Sequence, residues 1–376
     1  MATPRSISSG QLQMRRTLTQ LGMAAAAIGL LFLLGIVVHR RLEAQGIASG
    51  FDFLWSRAGY DLSESLIPYT GSDSYGRALL AGFSNTLKVA VCSIVAAILI
   101  GLLAAAAQLS QHDIARSLGK FYVSVVRNTP LLLQLFFWFG VFSISMPGPR
   151  VAMEPLPGTF ISNRGIDFPW PSGGGWQIGV LALCGAAALI AVFKFERFAG
   201  RRLLLSSATL GTMLALAAMA VLSGQIPWDV PVAGPFSIRG GGHISPEFLT
   251  LFTGLSVYTG SYIAEAVRGA VLAIPKGQIE AGNSLGLRPM LVLVLIVMPQ
   301  AVRIAMPAIV SELLNLVKNS SLGVAVGYPE LVSAGNTAMN QTGQAIEVIA
   351  IYMLVYVSFN LLVTKLFAWW EGRYAR

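Results

Sequence analysis

Charge is what this chain has least of. Of its 376 residues only 11% are Asp, Glu, Lys or Arg, against 55% hydrophobic, and the mean hydropathy is +0.67. A soluble domain of this length needs a charged exterior. Its absence excludes that class and leaves an integral membrane protein. Cysteine is scarce too: Cys92 and Cys184 both lie in apolar runs without metal-ligand spacing, and no disulfide between separate spans is expected. His39, His112 and His243 form no cluster, so there is no zinc signature. No nucleophile elbow and no convergent Ser/His or paired Asp set is found within the apolar runs, which argues against an intramembrane enzyme. The phosphate loop G-x-x-x-x-G-K-[ST] is also missing: Gly119-Lys120 is followed by Phe121, and Ile114 stands where the first glycine belongs. If ATP and Mg drive this protein, other subunits bind them.

The apolar runs set the architecture. About 20 such residues make a helix that crosses the hydrocarbon core. Eight segments qualify, at 18–38, 85–107, 131–145, 177–193, 203–222, 247–266, 301–326 and 345–368. The net charge of +9 comes from 26 basic against 17 acidic residues, and its plainest reading is topological, not nucleic-acid binding. With the N-terminus inside, 17 of the 26 basic residues fall on the cytoplasmic side: Arg5, Arg15, Arg16, Arg116, Lys120, Arg127, Lys194, Arg197, Arg201, Arg202, Arg268, Lys276, Arg288, Arg303, Lys365, Arg373 and Arg376. His39-Arg40-Arg41 opposes that orientation and is outvoted. Residues 146–176 and 223–246, rich in Pro and Gly, read as irregular outer loops. The stretch 177–222 between them reads as a lipid-facing insertion. The expectation is an all-α integral membrane protein of about eight transmembrane helices, with both termini cytoplasmic. Its parts are 1–82 (tail, extra helix and outer loop), 83–370 (transmembrane domain, with a helix pair inserted at about 146–245) and a tail, 371–376.

One cytoplasmic loop carries a distinctive run. Glu280-Ala281-Gly282-Asn283-Ser284-Leu285-Gly286 is followed, after nine residues, by Ile296-Val297-Met298-Pro299. It resembles the EAA loop of ABC-importer permeases, E-A-A, three residues, G, nine residues, I-x-L-P, with Gly282 in place of the second Ala and Met298 in place of Leu. Arg127-Asn128-Thr129-Pro130-Leu131-Leu132-Leu133-Gln134-Leu135-Phe136-Phe137, the run 262–281 and Leu316-Val317-Lys318-Asn319-Ser320-Ser321-Leu322 are similar to segments of the polar-amino-acid, HisM/HisQ-like branch. The extra spans resemble the longer permease of bacterial general L-amino-acid transporters. The resemblance implies a five-helix type I ABC-importer permease core in the bacterial inner membrane. It also implies a second homologous permease subunit, two ATPase subunits and a periplasmic amino-acid-binding protein. The substrate it implies is an L-amino acid, expected to be moved by alternating access and not chemically changed. ATP and Mg belong to the ATPases, and no cofactor or metal is expected in this chain.

Within the loop, 276–285 is expected as a short helix, with small residues admitting a partner surface. Gly286 ends it at positive φ, Pro289 starts the next helix and Pro299 bends the following span. Glu280 caps, pairs with a basic residue across the turn, or bonds a partner's backbone. The resemblance implies Gln278, Glu280, Ala281, Gly282, Gly286 and Pro299 as the ATPase-coupling set. Deeper in the seventh span lie Glu312, Asn315, Lys318, Asn319, Ser320 and Ser321. Charges there pair or meet water. Glu312 and Lys318, six residues apart, are on different faces. These residues either line the pathway, with Lys318 attracting a carboxylate, or pack a helix seam. Glu265 and Arg268 are spaced for a local pair. Arg127 reads as a topology anchor, and Phe136, Phe137, Trp138, Trp369 and Trp370 as lipid-facing or interfacial rings. A self-sufficient, ion-coupled secondary transporter of small polar solutes is the alternative, with Glu312 as its coupling carboxylate.

Overall fold

The computed structural model describes residues 49–171, 228–234 and 237–374, and scattered helical positions between 18 and 40. The expected spans at 177–193 and 203–222, Cys184 and His39 lie outside the described residues.

The core is built on two long helices, α1 (Tyr75–Leu109) and, farther along the chain, α4 (Pro246–Leu272). Small residues let them approach closely: a Cβ on Gly101 would stand 2.6 Å from Ile263 Cγ2 and 3.0 Å from the Gly260 carbonyl oxygen. Lipid offers no hydrophobic drive for helix pairing, so close backbone packing supplies it. Around this pair Val89, Leu131, Leu135, Leu251, Leu255, Ile263, Leu316 and Tyr328 form one buried cluster.

The stretch between the expected spans 85–107 and 131–145, which carries Arg116, Lys120 and Arg127, is an amphipathic helix, α2 (Asp113–Arg127). Its Gly119 and Val123 are buried, Val123 in a cluster with Ala104, Ala105 and Ala264. After a bend of 101° comes α3 (Leu131–Phe139), extended by a π-turn over Gly140–Ser145. The expected span 131–145 is corrected accordingly: alone it reaches about 22 Å, short of the ~30 Å hydrocarbon core. It passes as a span only together with α2, as one bent pair.

The described parts of the two outer loops hold strands, so the chain is not all-α. Strands β1 (Met153–Leu156), β2 (Thr159–Ser162) and β3 (Gly165–Phe168) form antiparallel hairpins. Short pairs follow: β4 (Trp170–Pro171) with β5 (Trp228–Asp229), and β6 (Val232–Ala233) with β7 (Ile238–Arg239). Strand β8 (Gly242–Ile244) completes a sheet of order β1-β2-β3-β8, so the two loops are one sheet. Phe160, Ile161, Ile166 and Ile244 have the β-branched and aromatic character that strands favour. Composition rich in Pro and Gly hid that pattern.

After α4 come α5 (Lys276–Ser284), α6 (Pro289–Val292), a π-turn over Leu293–Val297 and α7 (Met298–Asn319). A 3-10 turn over Ser320–Val326 follows, then α8 (Leu331–Thr342) and α9 (Ala345–Tyr374). Helix α8 was not expected from the sequence. Among the described residues three helical stretches are long and apolar enough to cross a membrane: Tyr75–Leu109, Pro289–Val326 and Ala345–Lys365. The bent pair makes a fourth. The expected span at 247–266 lies within α4, which is long enough but kept out of that set by its polar and charged residues. Its interior position explains the polarity, since Thr250, Ser256, Thr259 and Ser261 are buried against protein.

Candidate functional site: the 276–299 hairpin and the seam above it

The hairpin closes as a helix ending of the Schellman type. Gly286 has φ +73°, its N–H donates to Asn283 O at 2.9 Å, and Leu287 N–H donates to Gly282 O at 3.3 Å. These are the two bonds that satisfy the last carbonyls of a helix, and only glycine takes that φ at no steric cost. Pro289 occupies the first turn of α6. Pro299 has no N–H and crowds the carbonyl four residues back. The backbone just before it forms the π-turn Leu293–Val297 and continues without a break into α7, as one helical stretch from Pro289 to Val326.

Gly282 has a different role from the one expected. It is buried inside the hairpin, and a Cβ there would lie 2.7 Å from Ile296 Cδ1 and 3.2 Å from Val292 Cγ2. Its smallness serves the return arm and not a partner surface. Ala281, Ser284 and Leu285 face outward, as do Gln278 and Glu280. Gln278 Oε1 accepts from Gln300 Nε2 at 2.5 Å, and Gln300 also donates to Ile296 O, tying α5 to the start of α7. No cap or ion pair of the Glu280 carboxylate within the chain is present among the described residues; Ser284 Oγ donates to its backbone oxygen instead. The exposed face, Glu280, Ala281, Ser284 and Leu285, is therefore uncommitted.

Helix α7 separates its expected pathway residues. Glu312 and Asn319 are half-buried, and Asn315 and Lys318 are exposed. Ser320 is buried. No ion pair joins Glu312 to Lys318 among the described residues, as their different faces require. Ser320 Oγ donates to Val317 O and Ser321 Oγ to Lys318 O, both at 2.7 Å, so these hydroxyls stabilise the switch into the 3-10 turn. Ile304, Ala308, Ser311, Asn315 and Lys318 make one exposed stripe at helical spacing.

Glu265 and Arg268 pair as expected, with Arg268 Nε to Glu265 Oε2 at 3.1 Å and Nη2 to Oε1 at 2.5 Å. Arg127, expected at a loop edge, ends α2 at the bend of the α2–α3 pair, and its guanidinium lies 4.9 Å from the centroid of the Tyr262 ring. Phe136 and Phe137 are exposed, as is Trp369, while Trp138 is half-buried and stacks on Phe142.

Two residues were not singled out from the sequence. Gln134 Nε2 donates to Val126 O at 2.9 Å, beside the longer Thr129 N–H bond at 3.4 Å, and to Thr129 O at 3.0 Å, tying α3 to the end of α2 across the bend. Its place eight residues after Val126, beyond a proline, was the available signal. Glu330 is fully buried and accepts from Val332 and Ser333 N–H, both at 2.8 Å, as the N-cap of α8. Burial raises its carboxyl to about 8, against the lowering effect of those two N–H groups.

The general L-amino acid transport system permease protein AapQ of Rhizobium johnstonii is 42% identical to this chain over 347 residues, covering 89% of this chain and 86% of that one. The putative amino-acid ABC transporter permease protein YhdX of Escherichia coli is 38% identical over 379 residues, covering 98% and 96%. The glutamate/glutamine/aspartate/asparagine transport system permease protein BztB of Rhodobacter capsulatus is 33% identical over 383 residues, covering 90% and 89%. Residues 97–376, which include the hairpin, the bent pair and α7, match the family described as binding-protein-dependent transport system inner membrane component. The chain belongs to that family, the permeases of ABC importers.

Proposed function

We propose that this chain is one of two homologous permease subunits of an ATP-driven importer of L-amino acids in a bacterial inner membrane. Two ATPase subunits carry ATP and Mg on the cytoplasmic face, and a periplasmic binding protein delivers the substrate. The observation that carries the reading is the hairpin: its interior is filled by Gly282 and Ile296, its turn is locked by Gly286, and its face from Glu280 to Leu285 is left open for a partner. The names of the relatives, general L-amino acid and glutamate/glutamine/aspartate/asparagine transport among them, support the substrate class.

Eight spans with cytoplasmic termini remain the preferred topology, with the extra helix in 1–82, the permease unit in 83–370 and the inserted pair at about 146–245. The exposed stripe of α7 through Asn315 and Lys318 supports a polar pathway or seam facing the second permease, because lipid cannot solvate it. An ion-coupled carrier needs no binding protein and no open hairpin, so that alternative is set aside. The test is reconstitution of the chain with its sister permease, ATPase and binding protein in proteoliposomes. ATP-dependent uptake of L-glutamate, L-glutamine or L-leucine is expected, with no hydrolysis from the chain alone. ATPase turnover by the isolated chain, or uptake indifferent to ATP, contradicts the proposal.

A further inference from the structure

Residues 49–74, upstream of the stretch that matches the family, are more than a link into α1. A 3-10 turn over Asp52–Trp55 opens them, and the chain then folds back on itself. Ala58 N–H donates to Asp73 O at 2.8 Å and Gly59 N–H to Gly71 O at 2.9 Å. Phe53 and Ala58 are buried with Tyr75 and Ala78 of α1, Ala338 of α8 and Val348 of α9. Hydrogen bonds repeat these attachments. Gly50 N–H donates to Glu347 Oε1 of α9 at 2.7 Å, and the Tyr60 hydroxyl to Ala334 O of α8 at 2.9 Å.

At Glu64 the same segment reaches α4. One carboxylate oxygen pairs with Lys88 of α1, and the other accepts from Ser245 Oγ at 2.6 Å. Ser245 is the N-cap of α4 and the first residue after β8. Buried Asn85 of α1 completes the joint. Its Nδ2 donates to Glu64 O at 2.8 Å and to Pro329 O at 2.9 Å, in the turn that follows α7, while its Oδ1 accepts from Leu66 N–H at 3.0 Å. Lys88 belongs to an apolar span, where an ammonium needs a counter-charge or water. Glu64 supplies that charge from outside the span, in a pair whose side chains are only 14% and 26% exposed. Separating a pair so far withdrawn from water strands a charge, so the attachment resists opening.

We infer that residues 49–74 are a clasp that binds the outer ends of α1, α4, α8 and α9 into one body, with Glu64 as the positioning residue that holds it shut through Lys88 and Ser245. A displacement that starts at the 276–299 hairpin runs along α7 to the turn at Pro329. It moves the outer ends together only if they do not slide past one another. The clasp therefore stays closed throughout the transport cycle. This rests on the importer reading and its topology above, and goes beyond them by giving the segment before the family match a part in transport.

The test uses the complete complex in proteoliposomes, with Cys92 and Cys184 replaced by serine. It reads the amount of L-glutamate, L-glutamine and L-leucine imported per ATP hydrolysed. Glu64→Cys/Lys88→Cys removes the pair without stranding either charge. It should assemble in wild-type yield and import at least about fivefold less per ATP, the lower end of coupling between distant sites. A bifunctional thiosulfonate that joins the two thiols should restore the ratio, and a reductant should abolish the recovery. A wild-type ratio in the unlinked pair overturns the clasp. So does a ratio that stays low once linked, and one that falls further means that the segment must open during transport. If the cysteine pair assembles poorly, Ser245→Gly takes its place, because glycine caps a helix nearly as well as serine and loses the bond to Glu64. A lowered ratio at wild-type yield is expected there; a wild-type ratio, or low yield again, overturns the clasp. Each of these failures leaves the importer reading intact. A wild-type complex that imports none of the three amino acids removes that reading, and the clasp's part in import with it.

Discussion

Gly282 packs beneath Ile296: a single methyl added to the glycine would stand 2.7 Å from the isoleucine Cδ1. The first and last thirds of the motif are thus two sides of one contact, which fixes the angle at which the Glu280–Leu285 face is presented. Because the opposing atom is the free end of a flexible side chain, Gly282→Ala should be absorbed by a rotamer change. Alanine in place of glycine inside a helix also favours the fold by up to about 1 kcal/mol. Gly282→Leu has no such room and should cost about 1–3 kcal/mol as overpacking. Uptake and ATPase activity measured together should remain coupled in Gly282→Ala and separate in Gly282→Leu. Equal coupling in both variants would show that the contact does not set the hairpin.

Gly286 tests the turn independently. A Cβ there meets nothing within 4 Å, so only its φ of +73° restricts the residue. Gly286→Asn should therefore behave close to wild type, whereas β-branched Gly286→Val should lose coupled uptake. Similar uptake by the two variants would remove the conformational explanation.

Gln134 should prove to be a strut of the bent pair. Gln134→Leu keeps the volume but leaves the Thr129 carbonyl without this donor and the Val126 carbonyl with backbone donors alone, an expected loss of about 1–3 kcal/mol if water does not replace the amide. The melting temperature of the purified complex should fall, and Gln134→Glu, which cannot donate in its ionised form, should fall with it. An unchanged melting temperature in both variants means water replaces the side chain.

Glu330 gives a pH signature. Burial raises its pKa from the ordinary carboxyl value of about 4.5 to about 8. The folded state therefore holds a proton that the unfolded chain releases, and the contribution is complete below about 4.5 and lost as pH rises through about 8. Thermal stability should decline across that window, and Glu330→Gln should flatten the decline. A steeper slope in Glu330→Gln would reverse the sign of the account.

How far the sequence carries depends on whether a residue acts locally. The ends of α5, the positive φ of Gly286 and the Glu265–Arg268 pair follow from spacing along one helix, and each was expected. What Gly282 packs against was not, because Ile296 is reached only after the turn is closed. The same limit hid Gln134, whose partners lie across a bend, and α8, whose buried N-cap Glu330 is an unusual capping residue. The sheet joining the two outer loops depends on pairing β3 with β8, 74 residues beyond the last residue of β3 at Phe168 counting to Gly242. No local pattern announces such a pairing. Among the described residues apolar length found the long helices, α4 included, but missed α2, whose apolar residues lie on one face only.

The central claim is that the Glu280–Leu285 face meets a separate ATPase from the cytoplasmic side. Ala281→Cys, on a background with Cys92 and Cys184 replaced by serine, puts a thiol on that exposed face. In membrane vesicles containing the assembled complex, a bifunctional thiol reagent should link it to a cysteine in the ATPase groove, with a yield that changes when ATP is added. Labelling of Ala281→Cys by an impermeant reagent from the periplasmic side, without a crosslink, would contradict both the orientation and the coupling role.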